Sequence, residues 1–237
     1  MFLASTCVLF TFHMELFTLP QALLRHAILS VCSHIPARLP PIYFHRLRML
    51  GIASSPRSRR SYRGGRAAMR SRAAKCYLHC GLANTRSLGN SCALVEDHIV
   101  YNNLDVFVIT ETWLTSVDGD DILRAACPAG YSALHIPRIG RRGGGVALIY
   151  CSSIVLKKIT LVHVPVSFEY LAVALTVNSS LITIVVVYRP PASNFGLFIE
   201  EFSTLLEILS TYPGRILIVG DFNIHVDDPL NPAAAKF

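Results

Sequence analysis

The chain has 237 residues, 52% of them hydrophobic, and a mean hydropathy of +0.44, so it can bury a core and is not a disordered chain. Its formal net charge of +7 is unevenly distributed. Residues 1–95 contain 13 Lys/Arg and one acid, whereas residues 96–237 contain 9 Lys/Arg and 14 acids. A basic arm on an acidic globular part favours a nucleic-acid partner, with a solvated tail that binds nothing as the alternative.

The first third of the chain divides into two segments. Residues 1–44 are apolar, contain several prolines and show no sustained period, which predicts a weakly structured segment. No Lys or Arg precedes the apolar start and Glu15 interrupts it, so we expect neither secretion nor stable membrane association. Residues 45–75 are rich in Arg and Gly and contain no acid, which predicts a flexible basic linker. We expect it to bind DNA phosphates, and RNA as a second ligand, through Arg57, Arg59, Arg60 and Arg63.

The seven cysteines are odd in number, and none are spaced as C-x-x-C. Cys76 and Cys80 are separated by three residues, without the second pair that a zinc module needs. We interpret the cysteines as reduced thiols in the nucleus or cytoplasm.

From residue 76 to 237 the pattern is that of an α/β domain. Residues 93–103 and 195–212 have apolar side chains near helical spacing, and the second segment is followed by Pro213-Gly214. Strand-length apolar runs predict strands at residues 76–84, 105–110, 143–153, 166–178, 180–188 and 215–220. Because the elements do not alternate strictly, packed sheets with flanking helices are favoured over a doubly wound sheet.

Several of these runs end in polar residues. Glu111, Tyr188 and the pair Asp221 and Asn223 each follow an apolar strand. Such groups converge where the C-terminal ends of strands meet, which is where sites in α/β sheets lie. If the last segment stays extended, the side chains of Asp221 and Asn223 face the same way. The alternatives are an exposed acid at Glu111, a strand aromatic at Tyr188 and a polar turn at 221–223.

A set of motifs in a fixed order gives a resemblance to a known family. Together they resemble the endonuclease/exonuclease/phosphatase superfamily, and in particular the apurinic-type endonuclease domain of LINE-class non-LTR retrotransposons. The resemblance covers roughly residues 76–237. The motifs, in chain order, are Asn84-Thr85-Arg86-Ser87, Ile109-Thr110-Glu111-Thr112-Trp113-Leu114, Arg142-Gly143-Gly144-Gly145-Val146-Ala147, Tyr188-Arg189-Pro190-Pro191 and Gly220-Asp221-Phe222-Asn223.

The resemblance implies a fold, a cofactor and roles. The fold is an α/β four-layer sandwich of two packed mixed β-sheets flanked by helices. Mg²⁺, with Mn²⁺ as an alternative, is held by Glu111 with Asn84 beside it. Asp221 and Asn223 orient water and bind the scissile phosphate, which Tyr188 also contacts. Independently of the family, Arg86 and Arg189 are candidates to clamp the nucleic-acid backbone, because guanidinium pairs bidentately with phosphate. We interpret the glycine run 143–145 as hairpin geometry, because no Gly-Lys-Ser/Thr follows.

One feature of the family is not matched. Its members end with a Ser/Thr-Asp-His segment that supplies a catalytic histidine, and His225 comes too early in the chain for that role. We therefore expect a C-terminally incomplete domain with impaired cleavage of DNA phosphodiesters. The other hypotheses are a phosphatase of the same superfamily acting on inositol phosphates or lipids, and a non-catalytic nucleic-acid-binding remnant.

Overall fold

The computed structural model describes residues 8–15, 26–30, 77–138, 140, 143–177 and 179–224, all within one compact unit. This part of the chain contains three α-helices: α1 (Cys92–Asn102), α2 (Gly119–Ala125) and α3 (Phe195–Ser210). Its strands are β1 (Val8–Glu15), β2 (His26–Ser30), β3 (Tyr77–Asn84), β4 (Val106–Thr110), β5 (Tyr131–Ile136), β6 (Val146–Cys151), β7 (Val155–Ile159), β8 (Glu169–Val177), β9 (Ser180–Tyr188) and β10 (Arg215–Asp221).

The strands form two mixed sheets of five. The first sheet has the order β1-β3-β4-β6-β5, and the second has the order β2-β10-β9-β8-β7. In each sheet four strands come from residues 77–221, and the outermost strand comes from the N-terminal segment. β3 runs parallel to β4 and β9 runs parallel to β10, whereas β8 pairs antiparallel with β9.

Three apolar layers hold the sheets and helices together. Between the sheets, alternate residues of facing strands interdigitate, such as Leu82 and Val108 with Val186 and Val219. On the outer face of the first sheet, α1 and α2 cover a second cluster around Phe107. On the outer face of the second sheet, α3 packs its phenylalanines in a third cluster. The order helix, sheet, sheet, helix confirms the predicted four-layer sandwich.

The predicted elements with strong apolar patterns are present. All six predicted strands and both predicted helices correspond to elements of the structure. The glycine run 143–145 leads into β6 in a hairpin with β5, and all three glycines have positive φ, as the hairpin interpretation requires. Asn194 caps the N-terminus of α3, and its side chain accepts a hydrogen bond from the Leu197 N–H at 3.0 Å.

The weakly patterned elements were not predicted. β5 is half-buried throughout, and β7 is an edge strand with exposed Val155, Lys157 and Lys158. Partial burial removes the strict apolar period on which prediction depends. No sequence pattern predicts β1 or β2, which lie in the segment expected to be weakly structured. The division at residues 45–75 stays a prediction, because that linker lies outside the described residues.

Glu201 ties α3 to the loop before β8. Its carboxylate is 8% exposed and accepts hydrogen bonds from the Val166 N–H at 3.0 Å and from the Ser167 N–H at 2.9 Å and hydroxyl at 2.5 Å. Burial acts to raise the pKa of Glu201, but these hydrogen bonds and the nearby His163 outweigh it, so the pKa is lowered.

No helix in the described part of the chain combines the length and apolarity needed to cross a membrane.

We predict a pH-dependent stability difference for Glu201→Gln. A lowered folded-state pKa stabilises the fold above the unfolded glutamate pKa of about 4.3, and this contribution is lost as the pH falls through the folded value. Urea unfolding at pH 7 should show the variant less stable by about 1–3 kcal/mol. The difference should shrink in acid. Glu200→Gln, an exposed neighbour on the same helix, is the control and should have little effect at either pH. A Glu201→Gln difference that is equal at both pH values would contradict the role given to the carboxylate.

Candidate functional site

The C-terminal ends of four parallel-paired strands meet at one edge of the sandwich, which we call the rim. Asn84 at the end of β3 is in register with Thr110 at the end of β4. Asp221 at the end of β10 is in register with Tyr188 at the end of β9. The rim is therefore built from both sheets, two strands from each.

Strand alternation directs three of the rim side chains inward. Asn84 continues the inward series of Leu82, and Asp221 continues that of Val219. Tyr188 is itself part of the core between the sheets. Glu111 would face outward if β4 continued, but the backbone turns there with φ 50°. This turn allows its carboxylate to reach the inner group.

One amide links the two carboxylates across the sheets. The Asn84 Nδ2 group donates to Glu111 Oε1 at 2.9 Å and to Asp221 Oδ2 at 2.7 Å. Its Oδ1 accepts from the Arg86 N–H at 3.3 Å. The amide nitrogen of Asn84 thus positions the two carboxylates, while its oxygen Oδ1 is the atom that could ligate a cation, so the role of Asn84 as a metal ligand beside Glu111 stays a prediction.

The backbone around Glu111 is held in an unusual conformation. Glu111 and Trp113 have φ near 50°, and Arg86 has φ 43°. Such values are uncommon for residues other than glycine and cost of order 1–3 kcal/mol each. They persist here because the Glu111 carbonyl accepts from the Ser87 N–H at 2.9 Å and from the Thr85 hydroxyl at 3.3 Å. The two loops after β3 and β4 therefore fix each other.

The segment after β10 does not stay extended. Asn223 has φ 49°, and its N–H donates to Asp221 Oδ1 at 3.0 Å, which closes a turn through the aspartate side chain. The Asn223 Nδ2 group donates to the Arg189 carbonyl at 2.6 Å. The condition under which the Asp221 and Asn223 side chains would face the same way, an extended segment, is therefore not met, because the turn takes Asn223 out of the strand alternation.

Burial changes the acidity of the rim groups. Asp221 is 7% exposed, and this burial raises its pKa, with a further increase from Glu111. Hydrogen bonds from Asn223 and Asn84 and the charge of Arg86 act in the opposite direction without cancelling the increase. Burial, with Glu111, also raises the pKa of Tyr188.

Two residues beside Tyr188 were missed by the sequence analysis. The Arg138 guanidinium lies 5.6 Å from the centre of the Tyr188 ring and forms an ion pair with Glu169. Glu169 also accepts from the Gly145 N–H at 2.5 Å and is in register with Tyr188 across β8 and β9. No motif marks either residue: strand register brings Glu169 beside the tyrosine, and the ion pair with Glu169 accompanies Arg138 there.

The two arginines predicted to clamp phosphate differ in placement. Arg86 is exposed at the rim, and its charge is close enough to lower the pKa of Asp221. Arg189 is 6% exposed, and its guanidinium donates to backbone carbonyls, so the structure does not present it to a phosphate. Its role as a clamp is corrected on that ground. The basic-linker arginines Arg57, Arg59, Arg60 and Arg63 lie outside the described residues.

The rim can hold a hard divalent cation on oxygen ligands. Among the described residues no cluster of three or more His, Cys, Asp and Glu forms a metal site. Mg²⁺, however, is often held by only one or two carboxylates with several waters. Glu111 and Asp221, joined through Asn84, provide that donor set.

The fold and the rim were compared with those of known proteins. The sequence profile of the endonuclease/exonuclease/phosphatase family matches residues 81–236. The chain belongs to this family. No curated protein sequence matches the chain.

Solved structures resemble the chain at the level of the fold. An AP endonuclease from Leishmania major is 18% identical with a TM-score of 0.45, covering 60% of this chain and 54% of its own. The endonuclease domain of a telomere-specific non-LTR retrotransposon is 14% identical, with a TM-score of 0.45 and coverage of 60% and 59%. A mannosyl-6-phosphatase from Bacteroides thetaiotaomicron is 12% identical, with a TM-score of 0.45 and coverage of 64% and 62%. The chain thus spans little more than half of each.

We predict that Gly145→Ala is more destabilising than Gly130→Ala. Both glycines have φ near +83°, so alanine costs about 1–2 kcal/mol at either position. A Cβ at Gly145 would lie 2.5 Å from the buried Thr112 Oγ1, whereas a Cβ at Gly130 meets nothing within 4 Å. Urea unfolding should show an additional loss of about 1–3 kcal/mol for Gly145→Ala. Equal losses would mean that the hairpin does not press against the loop that carries Glu111.

Proposed function

We propose that this chain is the DNA-cleaving domain of a non-LTR retroelement of the LINE class, a metal-dependent endonuclease that nicks DNA phosphodiesters. The observation that carries the proposal is the Asn84 amide, which holds Glu111 and Asp221 together where the two sheets end. The family membership of residues 81–236 supports phosphate-ester hydrolysis as the reaction class. The choice of DNA and of a retroelement is supported by the sequence motifs and the basic linker.

The residues have separate roles in this proposal. Members of the family generally use divalent metals. Glu111, with Asp221 beside it, would hold Mg²⁺, or Mn²⁺ as an alternative. When bound, such a cation stabilises negative charge on the phosphoryl and leaving oxygens. Asp221 accepts the proton of the attacking water, and its raised pKa makes it a stronger base than an ordinary aspartate. The exposed Arg86 would contact the substrate phosphates, and the contact of Tyr188 with phosphate stays a prediction because the residue is buried between the sheets. Asn84 and Asn223 keep Asp221 in place.

We expect the described rim residues to cleave DNA slowly. The hydrogen bonds given to the Glu111 and Asp221 side chains come from amide groups of Asn84 and Asn223. Neither amide can protonate the leaving oxygen. Without a general acid among the described residues, a loss of ~10²–10⁴ in rate is expected. The odd number of cysteines supports a reducing compartment, the nucleus or the cytoplasm, as the place of action.

We predict Mg²⁺-dependent nicking of supercoiled plasmid by the full chain. Glu111→Gln should lower the rate by ~10²-fold or more, because the cation loses its charged ligand. Glu96→Gln, which removes an exposed glutamate from α1, is the matched control and should cleave like the parent chain. The measurement is the rate of open-circle formation at saturating Mg²⁺.

Three results would contradict the proposed endonuclease function. Equal nicking by Glu111→Gln and Glu96→Gln would place the activity elsewhere or in a contaminant. Hydrolysis of inositol phosphates without plasmid nicking would favour a phosphatase. Binding of DNA with neither activity would favour a nucleic-acid-binding remnant.

We predict that the basic linker supplies most of the salt-sensitive affinity for DNA. Releasing counterions from phosphates gives a slope of log K against log salt of about −0.9 per contact. Replacing Arg57, Arg59, Arg60 and Arg63 together by glutamine should therefore make the slope shallower by up to about 3–4. Lys157→Gln with Lys158→Gln on β7 is the control for loss of charge. An unchanged slope in the fourfold variant, measured by fluorescence anisotropy on duplex DNA, would rule out the linker as the binding segment.

A further inference from the structure

Arg189 follows Tyr188 directly, yet its side chain turns into the protein. It is 6% exposed, and every hydrogen bond that the structure describes for its guanidinium ends on a backbone carbonyl. Nη1 donates to the carbonyls of Phe222 at 3.3 Å and Asn223 at 3.1 Å. Nη2 donates to the Ser193 carbonyl at 2.9 Å. A buried cation whose described acceptors are all carbonyls is costly, so its placement requires an explanation.

The backbone of Arg189 contacts the same segment. Its N–H donates to the Asp221 carbonyl at 2.9 Å, and its carbonyl accepts from Asn223 Nδ2 at 2.6 Å. The main chain and the side chain of Arg189 together contact all three residues 221, 222 and 223. Arg189 thus connects the segment of residues 221–223 to β9 of the same sheet and to the loop before α3.

Two aromatic rings complete the surroundings of the guanidinium. Its central carbon lies 5.5 Å from the centre of the Phe195 ring and 5.4 Å from that of Phe198. Both distances are within the range of cation–π attraction. Phe198 is fully buried and also packs against Phe222. The rings exclude water, which strengthens the hydrogen bonds to the carbonyls.

We propose that Arg189 is a positioning residue that fixes the turn of residues 221–223 and thereby aims the Asp221 carboxylate at Asn84. This inference rests on the proposed function for its kinetic consequence, but the positioning itself does not depend on it. Asn223 has φ 49° in this turn, a conformation that needs external support. The Arg189 guanidinium supplies this support by binding the carbonyls of the two peptide groups that flank Asn223, those of Phe222 and of Asn223 itself.

Lysine cannot substitute for the guanidinium group of Arg189, which donates hydrogen bonds from two nitrogens. The two terminal nitrogens of arginine donate in different directions, toward Asn223 and toward Ser193, whereas lysine has one nitrogen at the end of a flexible chain. Arg189→Lys keeps the charge and loses the geometry. It therefore separates positioning from a general electrostatic effect.

The test is amide hydrogen exchange at Asn223 in the full chain. This N–H is bonded to Asp221 Oδ1 at 3.0 Å, so its protection reports the turn directly. Arg189→Lys should speed exchange at Asn223 by about tenfold or more relative to amides of β4. Val95→Ala changes a buried residue of α1, which packs on the other sheet; it destabilises the fold away from the turn and should not single out Asn223. Unchanged relative exchange in Arg189→Lys would overturn the inference.

The kinetic arm uses plasmid nicking. A misplaced Asp221 should lower kcat by ~10²-fold while KM changes less than about threefold, because Arg189 does not contact the substrate. A raised KM with unchanged kcat would show that Arg189 binds phosphate and would overturn the inference. If the parent chain does not nick DNA, the proposed function fails while the exchange measurement still decides the role of Arg189.

A second variant guards against misfolding of Arg189→Lys. Phe195→Leu removes one ring from the guanidinium and leaves the hydrogen-bonding groups in place. It should increase relative exchange at Asn223 in the same direction and by a smaller factor. Protection equal to that of the parent chain would count against the inference in the same way.

Discussion

The site depends on one amide that holds two carboxylates from different sheets. Burial raises the pKa of Asp221, and the like charge of the neighbouring Glu111 raises it further. The Asn84 Nδ2 group offsets this repulsion by donating one hydrogen bond to each of the two carboxylates. Because Asn84 and Asp221 belong to facing sheets, the packing between the sheets fixes the distance between them. The core between Leu82 and Val219 is therefore part of the functional design as well as of the stability.

Three arginines near this group have different roles. Arg86 remains exposed and tunes the rim electrostatically, Arg138 pairs with Glu169 beside Tyr188, and Arg189 is buried against backbone carbonyls. Burial and available acceptors decide these roles. A charge in a motif indicates that the position matters, and the surroundings then determine whether it faces a ligand or the protein.

The sequence predicted the layers and the convergence of the rim, because strands such as 106–110 and 215–221 are apolar on both faces and end in polar groups. It missed β5 and β7, whose half-exposed faces carry no period. It also missed Glu169, which strand register brings to Tyr188, and Arg138, which pairs with Glu169 from the loop after β5. It left open whether residues 221–223 stay extended, since the left-handed turn at Asn223 follows from a side-chain hydrogen bond that spacing does not reveal. Propensity and alternation thus identify the strands, whereas the turns that leave them depend on long-range contacts.

A double-mutant cycle between Asn84 and Asp221 tests the central claim most directly. Asn84→Ala, Asp221→Ala and the double variant would be compared by urea unfolding, with Asn84 and the exposed Asp120 as the control pair. If one amide joins the two sheets at the rim, Asn84 and Asp221 should show a coupling energy of about 0.5–3 kcal/mol, while the control pair should be additive. Additivity within about 0.5 kcal/mol for Asn84 and Asp221 would contradict the account.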